Sequence, residues 1–271
     1  MAPTPYWTIV RHHLRLQRLA IRVWVGLMAL MGFGTVTAAP AATAGNAAEK
    51  LIKGMGMSAF AGAGPSAYPH PTDWFVALKF LSWAPLFFGI YAALAALTAV
   101  SREEEGRTAE FLLSLPVRRH TIILGRMTSI LLGLVAIVFA AWASLAVTIR
   151  AMGLAGSEPR YLMALLGGLT IAFALGCLSL LISLAVRPYG RALRYALGSI
   201  TALFLYDTVL RVASASLSRG VLGRLTPFGW IDVIRTIRHG TWPVAGIAAA
   251  FAMSAVLLAV SSRLFARREV L

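Results

Sequence analysis

Four of the ten acidic residues in this 271-residue chain fall within one short stretch, Glu103, Glu104, Glu105 and Glu110, with Arg107 among them. Their spacing is that of a helix start. Ser101 followed three residues later by Glu104 forms a capping box, which satisfies amide hydrogens that a first helical turn leaves orphaned. Carboxylates in that turn suit the positive end of the helix dipole, and Glu103 with Arg107 has the favourable four-residue spacing for a side-chain pair. Pro116 ends the pattern, which predicts a helix over 102–115, on the order of 20 Å long at ~1.5 Å per residue. Thr108, Phe111, Leu112 and Leu115 share one face of it, which can dock on a partner or pack back on the rest of the chain.

Elsewhere the reactive residue types are scattered. His12, His13, His70, His120 and His239 fall in loops or at the edges of apolar runs, with neither paired carboxylates nor a His-Glu-x-x-His motif, which argues against an intramembrane enzyme. The single cysteine, Cys177, lies inside an apolar run and reads as core packing. Met55, Met57 and His70 are soft or borderline ligands, but without a repeated Met pattern they read as ordinary loop residues. A phosphate-binding loop needs Gly-x-x-x-x-Gly-Lys followed by Ser or Thr, and the chain has no Gly-Lys pair, so it cannot hydrolyse ATP by that route.

The elements that hold these residues are set by composition. The chain is 59% hydrophobic and 13% charged, with a mean hydropathy of +0.77, which is the usage of a protein built for lipid. Its net charge of +15 does not imply nucleic acid, because the basic residues punctuate long apolar runs instead of clustering on a polar face. Runs long enough to cross a bilayer occur at about 23–44, 75–100, 121–149, 161–186, 192–212 and 243–265. The expectation is an all-α, polytopic membrane protein of six spans in one domain, 1–271, with the 45–73 segment as an outer loop. The first run, ending near Ala42-Thr43-Ala44, imitates a cleavable signal, but five further spans favour an uncleaved anchor.

Positive residues are retained on the cytoplasmic side of a plasma or inner membrane. With the N-terminus inside, fifteen of the twenty-five Lys and Arg residues fall on cytoplasmic segments, which places both termini in the cytoplasm. Arg11, Arg15, Arg18 and Arg22 line one helical face, the pattern of an interfacial helix lying on the inner leaflet before the first span. The plainer alternative is a basic anchor with no separate helix. Trp74, Trp83, Trp230 and Trp242 lie near span boundaries, where aromatic belts form. Lys79 and Arg194 can snorkel to the interface.

Asp207 in the fifth span has Arg211 four residues on, on the same helix face. The pair is either a polar element of a pathway or subunit seam, or a local ion pair that fixes helix depth. The outer segment 211–242 carries Arg211, Arg219, Arg224, Arg235 and Arg238 against Asp232 alone. Those arginines either bind an anionic ligand, headgroups or a partner, or part of the segment re-enters the membrane.

The run Glu103-Glu104-Glu105-Gly106-Arg107-Thr108-Ala109-Glu110-Phe111-Leu112-Leu113-Ser114-Leu115-Pro116-Val117, followed by Arg118, Arg119, Ile122, Leu124, Gly125 and Arg126, resembles the cytoplasmic loop of six-helix ABC transporter permeases of the drug, antibiotic and polysaccharide exporter type. Thr226 to Arg235 is similar to the short outer helix of these permeases, and Leu264 to Glu269 to their basic tail. The resemblance implies an export permease that is not itself an enzyme. It would work with two ABC ATPase subunits and a second permease half, as a homodimer or heterodimer, among membrane lipids. No cofactor is implied on this chain, ATP and Mg being held by the partner. The 102–115 helix would be the coupling helix, with Glu103, Glu104, Glu105 and Phe111 contacting the ATPase. The family has two acidic residues before the glycine where this chain has three. The alternative is an ATP-independent membrane scaffold or assembly protein.

Overall fold

Apolar runs of twenty or more residues have one low-energy form in hydrocarbon, the α-helix, because every amide and carbonyl must find its partner within the segment. The computed structural model describes residues 5–44, 65–105, 119–213 and 220–267, and among these no strand occurs. The long helices are α1 (Pro5–Thr43), α3 (Ala84–Glu105), α4 (Arg119–Ala151), α5 (Glu158–Ala185), α6 (Tyr189–Ala213) and α8 (Val244–Arg267), with the short α2 (Pro71–Val76) and α7 (Val233–His239) between them. Six stretches are long and apolar enough to cross a membrane, 6–43, 71–99, 120–151, 158–185, 189–213 and 244–265.

Side-chain register shows how the spans run. Ile9 meets Gly125 and Ser144 donates to the Ala29 carbonyl, so α1 and α4 are parallel. Pro85 meets Gly168 and Ala92 meets Gly176, so α3 and α5 are parallel, whereas Trp83 stacks near Phe204 and Ile200 approaches Gly89, so α6 runs opposite to α3. A Cβ on Gly176 would stand 3.1 Å from Ala92 Cβ, and such small residues let two spans approach closely where lipid supplies no hydrophobic drive. α5 and α3 form the centre, with α4, α6 and α8 packed on α5, and α1 lying along α4. Both described termini therefore sit at one end of the bundle, with the 106–118 and 186–188 connections. The other end carries the 65–73, 152–157 and 220–243 segments.

Four expectations change. The second span is not one regular helix: α2 passes through a π-helical turn, Ala77–Leu81, and Ser82 donates from Oγ to the Ala77 carbonyl at 2.7 Å before α3 begins. The arginine-bearing N-terminal segment does not turn into the first span but is continuous with it, as one helix of 39 residues. Ser101 does not start a helix, because α3 runs through it to Glu105. In a helix already propagating, the amides near Ser101 are taken by carbonyls four residues back, so a cap has nothing to satisfy. Of the four boundary tryptophans, Trp83 and Trp242 are exposed as a belt requires, but Trp74 is fully buried in the core. Cys177 is buried, as expected.

Candidate functional site

Among the described residues, two buried polar clusters lie one at each end of the bundle. At the end away from the termini the centre is Asp73, which is fully buried. Its Oδ1 accepts from Ser157 N at 2.8 Å and Tyr161 Oη at 2.5 Å, and its Oδ2 accepts from Ser157 Oγ at 2.8 Å and His70 N at 3.2 Å. Local sequence makes this possible. Pro71 opens α2 with no amide to satisfy, which brings Asp73 to the third helical position facing back on His70. Gly153, at φ 63°, closes α4 with Leu154 N donating to the Ile149 carbonyl, and so turns Ser157 toward Asp73.

Arginines extend this cluster through main-chain carbonyls. Arg160 Nη1 donates to the Ile237 and Arg238 carbonyls at 2.9 and 3.0 Å, satisfying the open end of α7, which Gly240 terminates at φ 65°. Arg238 Nε donates to the Ala67 carbonyl at 3.1 Å, with its guanidinium 6.0 Å from the Tyr68 ring centroid. Burial pushes the Tyr68 hydroxyl up to about 12, against the opposing pull of Arg238, so it stays neutral. Arg150 and Glu158 form a two-pronged but exposed pair.

Asp207 and Arg211 do pair, Nε to Oδ2 at 2.6 Å, and Arg211 Nη2 donates to the Phe228 carbonyl at 3.1 Å. The pair thus ties α6 to the crossing segment Pro227–Trp230. Asp207 Oδ1 is buried with no hydrogen-bond partner among the described residues. The described part of the arginine-rich segment beyond α6, residues 220–242, folds as short 3-10 turns and α7 against the bundle. Arg211 and Arg238 are used internally, Arg224 and Arg235 stay exposed, and Arg219 lies outside the described residues.

At the end that carries the termini the cluster joins three helices. His13 and Gln17 of α1, Tyr91 of α3, and Arg126 and Ser129 of α4 are all buried. Ser129 Oγ donates to the Arg126 carbonyl at 2.6 Å and lies 2.5 Å from His13 Nδ1. Gln17 Nε2 lies 3.1 Å from the same nitrogen, and Tyr91 Oη donates to Gln17 Oε1 at 3.2 Å. Arg126 donates from Nη1 to the Ala99 carbonyl. Tyr6 Oη and Thr128 Oγ1, 2.6 Å apart, add a further α1–α4 contact. Each of these groups, left unpaired in hydrocarbon, would cost about 1–3 kcal/mol, so the cluster holds as a unit.

Of the residues singled out from sequence, Glu103, Glu104 and Glu105 form the last helical turn of α3, while Phe111, Met55 and Met57 lie outside the described residues. His70 acts through its amide on Asp73, and no metal-ligand group of three or more is present among the described residues. Sequence reading missed both clusters. His13 and Gln17 stand four apart off the Arg11, Arg15, Arg18, Arg22 face, a legible polar pair that the arginine periodicity overshadowed. Asp73, following Pro71 just ahead of an apolar run, was assigned to a loop end.

Residues 7–270, nearly the whole chain, match the sequence model of a family described as ABC-2 family transporter protein. No curated protein matches the chain.

Proposed function

The chain belongs to the ABC-2 family of transporter proteins and is a multi-pass membrane permease component of an ABC transporter, and from that premise we propose that it is the membrane half of an ATP-driven exporter whose ATPase is a separate polypeptide. The family match over 7–270 carries this reading. The absence of a Gly-Lys pair supports placing ATP and Mg on the partner. Two permease halves, identical or not, surround a shared path, and two ATPase subunits dock at the end that holds both termini, which faces the cytoplasm. The basic residues favour that orientation, since Arg11, Arg15, Arg18, Arg22, Arg187, Arg191 and Arg194 are exposed at this end.

The ATPase contact is the segment between α3 and α4, with Glu103, Glu104, Glu105 and Phe111 as its contacting residues. Closure of the ATPase pair around ATP shifts this segment, and α3 and α4, the antiparallel helices that flank it, carry the shift into the bundle. α3 reaches Glu105 without a break, so a push on the glutamates passes along a rigid rod. Asp207 and Arg211 fix the outer crossing segment on α6, at a subunit seam or the path's outer mouth.

The test is co-purification of the tagged full chain in mild detergent beside a variant carrying Glu104→Lys and Phe111→Ala, its folding checked by monodisperse elution. An ATPase with a Walker motif accompanies the parent and is lost from the folded variant. If no ATPase accompanies the folded parent, the exporter reading fails and a scaffold role takes its place.

A further inference from the structure

The helices that flank residues 106–118, α3 and α4, are both fastened to α1 by side chains that ATPase contact alone does not explain. We propose that His13, Gln17, Tyr91 and Arg126 form a clasp that makes the first half of α1 move as one body with the end of α3 and the start of α4. The inference rests on residues 106–118 being the ATPase-facing segment.

Placement carries the argument. Ala99, the acceptor of Arg126, stands six residues before Glu105 at the end of α3, and Arg126 stands seven residues after Arg119 at the start of α4. This contact ties the end of α3 to the start of α4. Along most of its length α1 lies on α4 and touches α3 little. Directed ties between α1 and α3 among the described residues include the Tyr91–Gln17 hydrogen bond and the edge contact of the Trp24 and Tyr91 rings, 6.1 Å between centroids. Gly133 is what admits Tyr91, since a Cβ there would stand 2.1 Å from Tyr91 Oη. Apolar helix seams can slide by small steps. A seam pinned by directed hydrogen bonds in a dry interior cannot, because each step would orphan a donor or acceptor.

These are positioning residues. They keep α1, with its exposed Arg11, Arg15 and Arg18, in register with α3 and α4, so a displacement passed to those two helices is shared by three instead of being absorbed in the α1–α3 seam.

The test uses the full chain in a Cys177→Ala background with spin labels on Leu19→Cys of α1 and Thr98→Cys of α3. It is measured alone and with the co-purifying ATPase, nucleotide-free and trapped with Mg-ADP-vanadate. The parent gives one narrow distance peak that trapping leaves in place. Tyr91→Phe, which keeps the ring and removes one hydroxyl, and His13→Leu broaden that peak about twofold while retaining the ATPase, and His13→Asn restores it. A parent distance that shifts on trapping, or variants as narrow as the parent, overturns the clasp. Should no ATPase accompany the parent, the widths measured on the chain alone still decide the clasp, and the exporter reading falls separately.

Discussion

The two ends of the bundle are closed by different chemistry. At the end bearing the 65–73, 152–157 and 220–243 segments, one buried carboxylate gathers four donors and arginines reach main-chain carbonyls, so helix ends are stitched to the segments that connect them. At the end bearing the termini, four side chains that carry no carboxylate, together with Arg126, stitch helix to helix, and residues 106–118 join two of the stitched helices. Charge-assisted bonds to a carboxylate are stronger than neutral ones and fix geometry more tightly. The difference is that of a seal, which holds one shape, and a joint, which holds three rods together and lets them move as a set.

Substitutions can break or sharpen that contrast. Asp73→Ala strands the Ser157, Tyr161 and His70 donors together and should cost about 4 kcal/mol, read as a large fall in thermal midpoint in mild detergent. A small effect would mean that the seal is not centred on the carboxylate. Arg211→Gln leaves Asp207 buried without its cation and should cost about 2 kcal/mol, less than a fully buried pair because a quarter of the arginine side chain is exposed. Limited proteolysis should then cut first within 220–230, since Arg211 also holds the Phe228 carbonyl. Tyr91→Phe should cost only about 1 kcal/mol, with the α1–α3 seam loosened and the opposite end unchanged by hydrogen exchange. Arg150→Gln, which removes an exposed pair, should leave the thermal midpoint within measurement scatter, and a clear fall would show that the seal extends to its rim.

Much of the fold was legible because hydropathy in a membrane protein is a long-range signal, and five of the six spans fall within a few residues of the apolar runs. The first differs at its start. The Arg11 to Arg22 periodicity describes an exposed face but says nothing of whether the helix bends after it. The π-helical turn at Ala77–Leu81 left no mark in hydropathy, because it inserts one residue without changing the apolar character of the run. The Ser101–Glu104 pattern misled, since the same letters that cap a helix start also sit comfortably inside a helix that has already begun. The polar clusters were illegible for a different reason. His13 meets Ser129 across 116 positions and Asp73 meets Tyr161 across 88, and single-residue periodicity carries no information about partners so distant.

The parallel pairing of α1 with α4 also sets a schedule for synthesis. At roughly 5–20 residues per second, the 116 positions between His13 and Ser129 correspond to roughly 6–23 seconds during which α1 exists and its polar counterpart does not. Through that interval His13 and Gln17 need water or headgroups, which the neighbouring Arg11, Arg15 and Arg18 favour by holding the segment at the membrane surface. The emergence of α4 supplies the polar counterpart, so α1 is made well before the contacts that fix it in place.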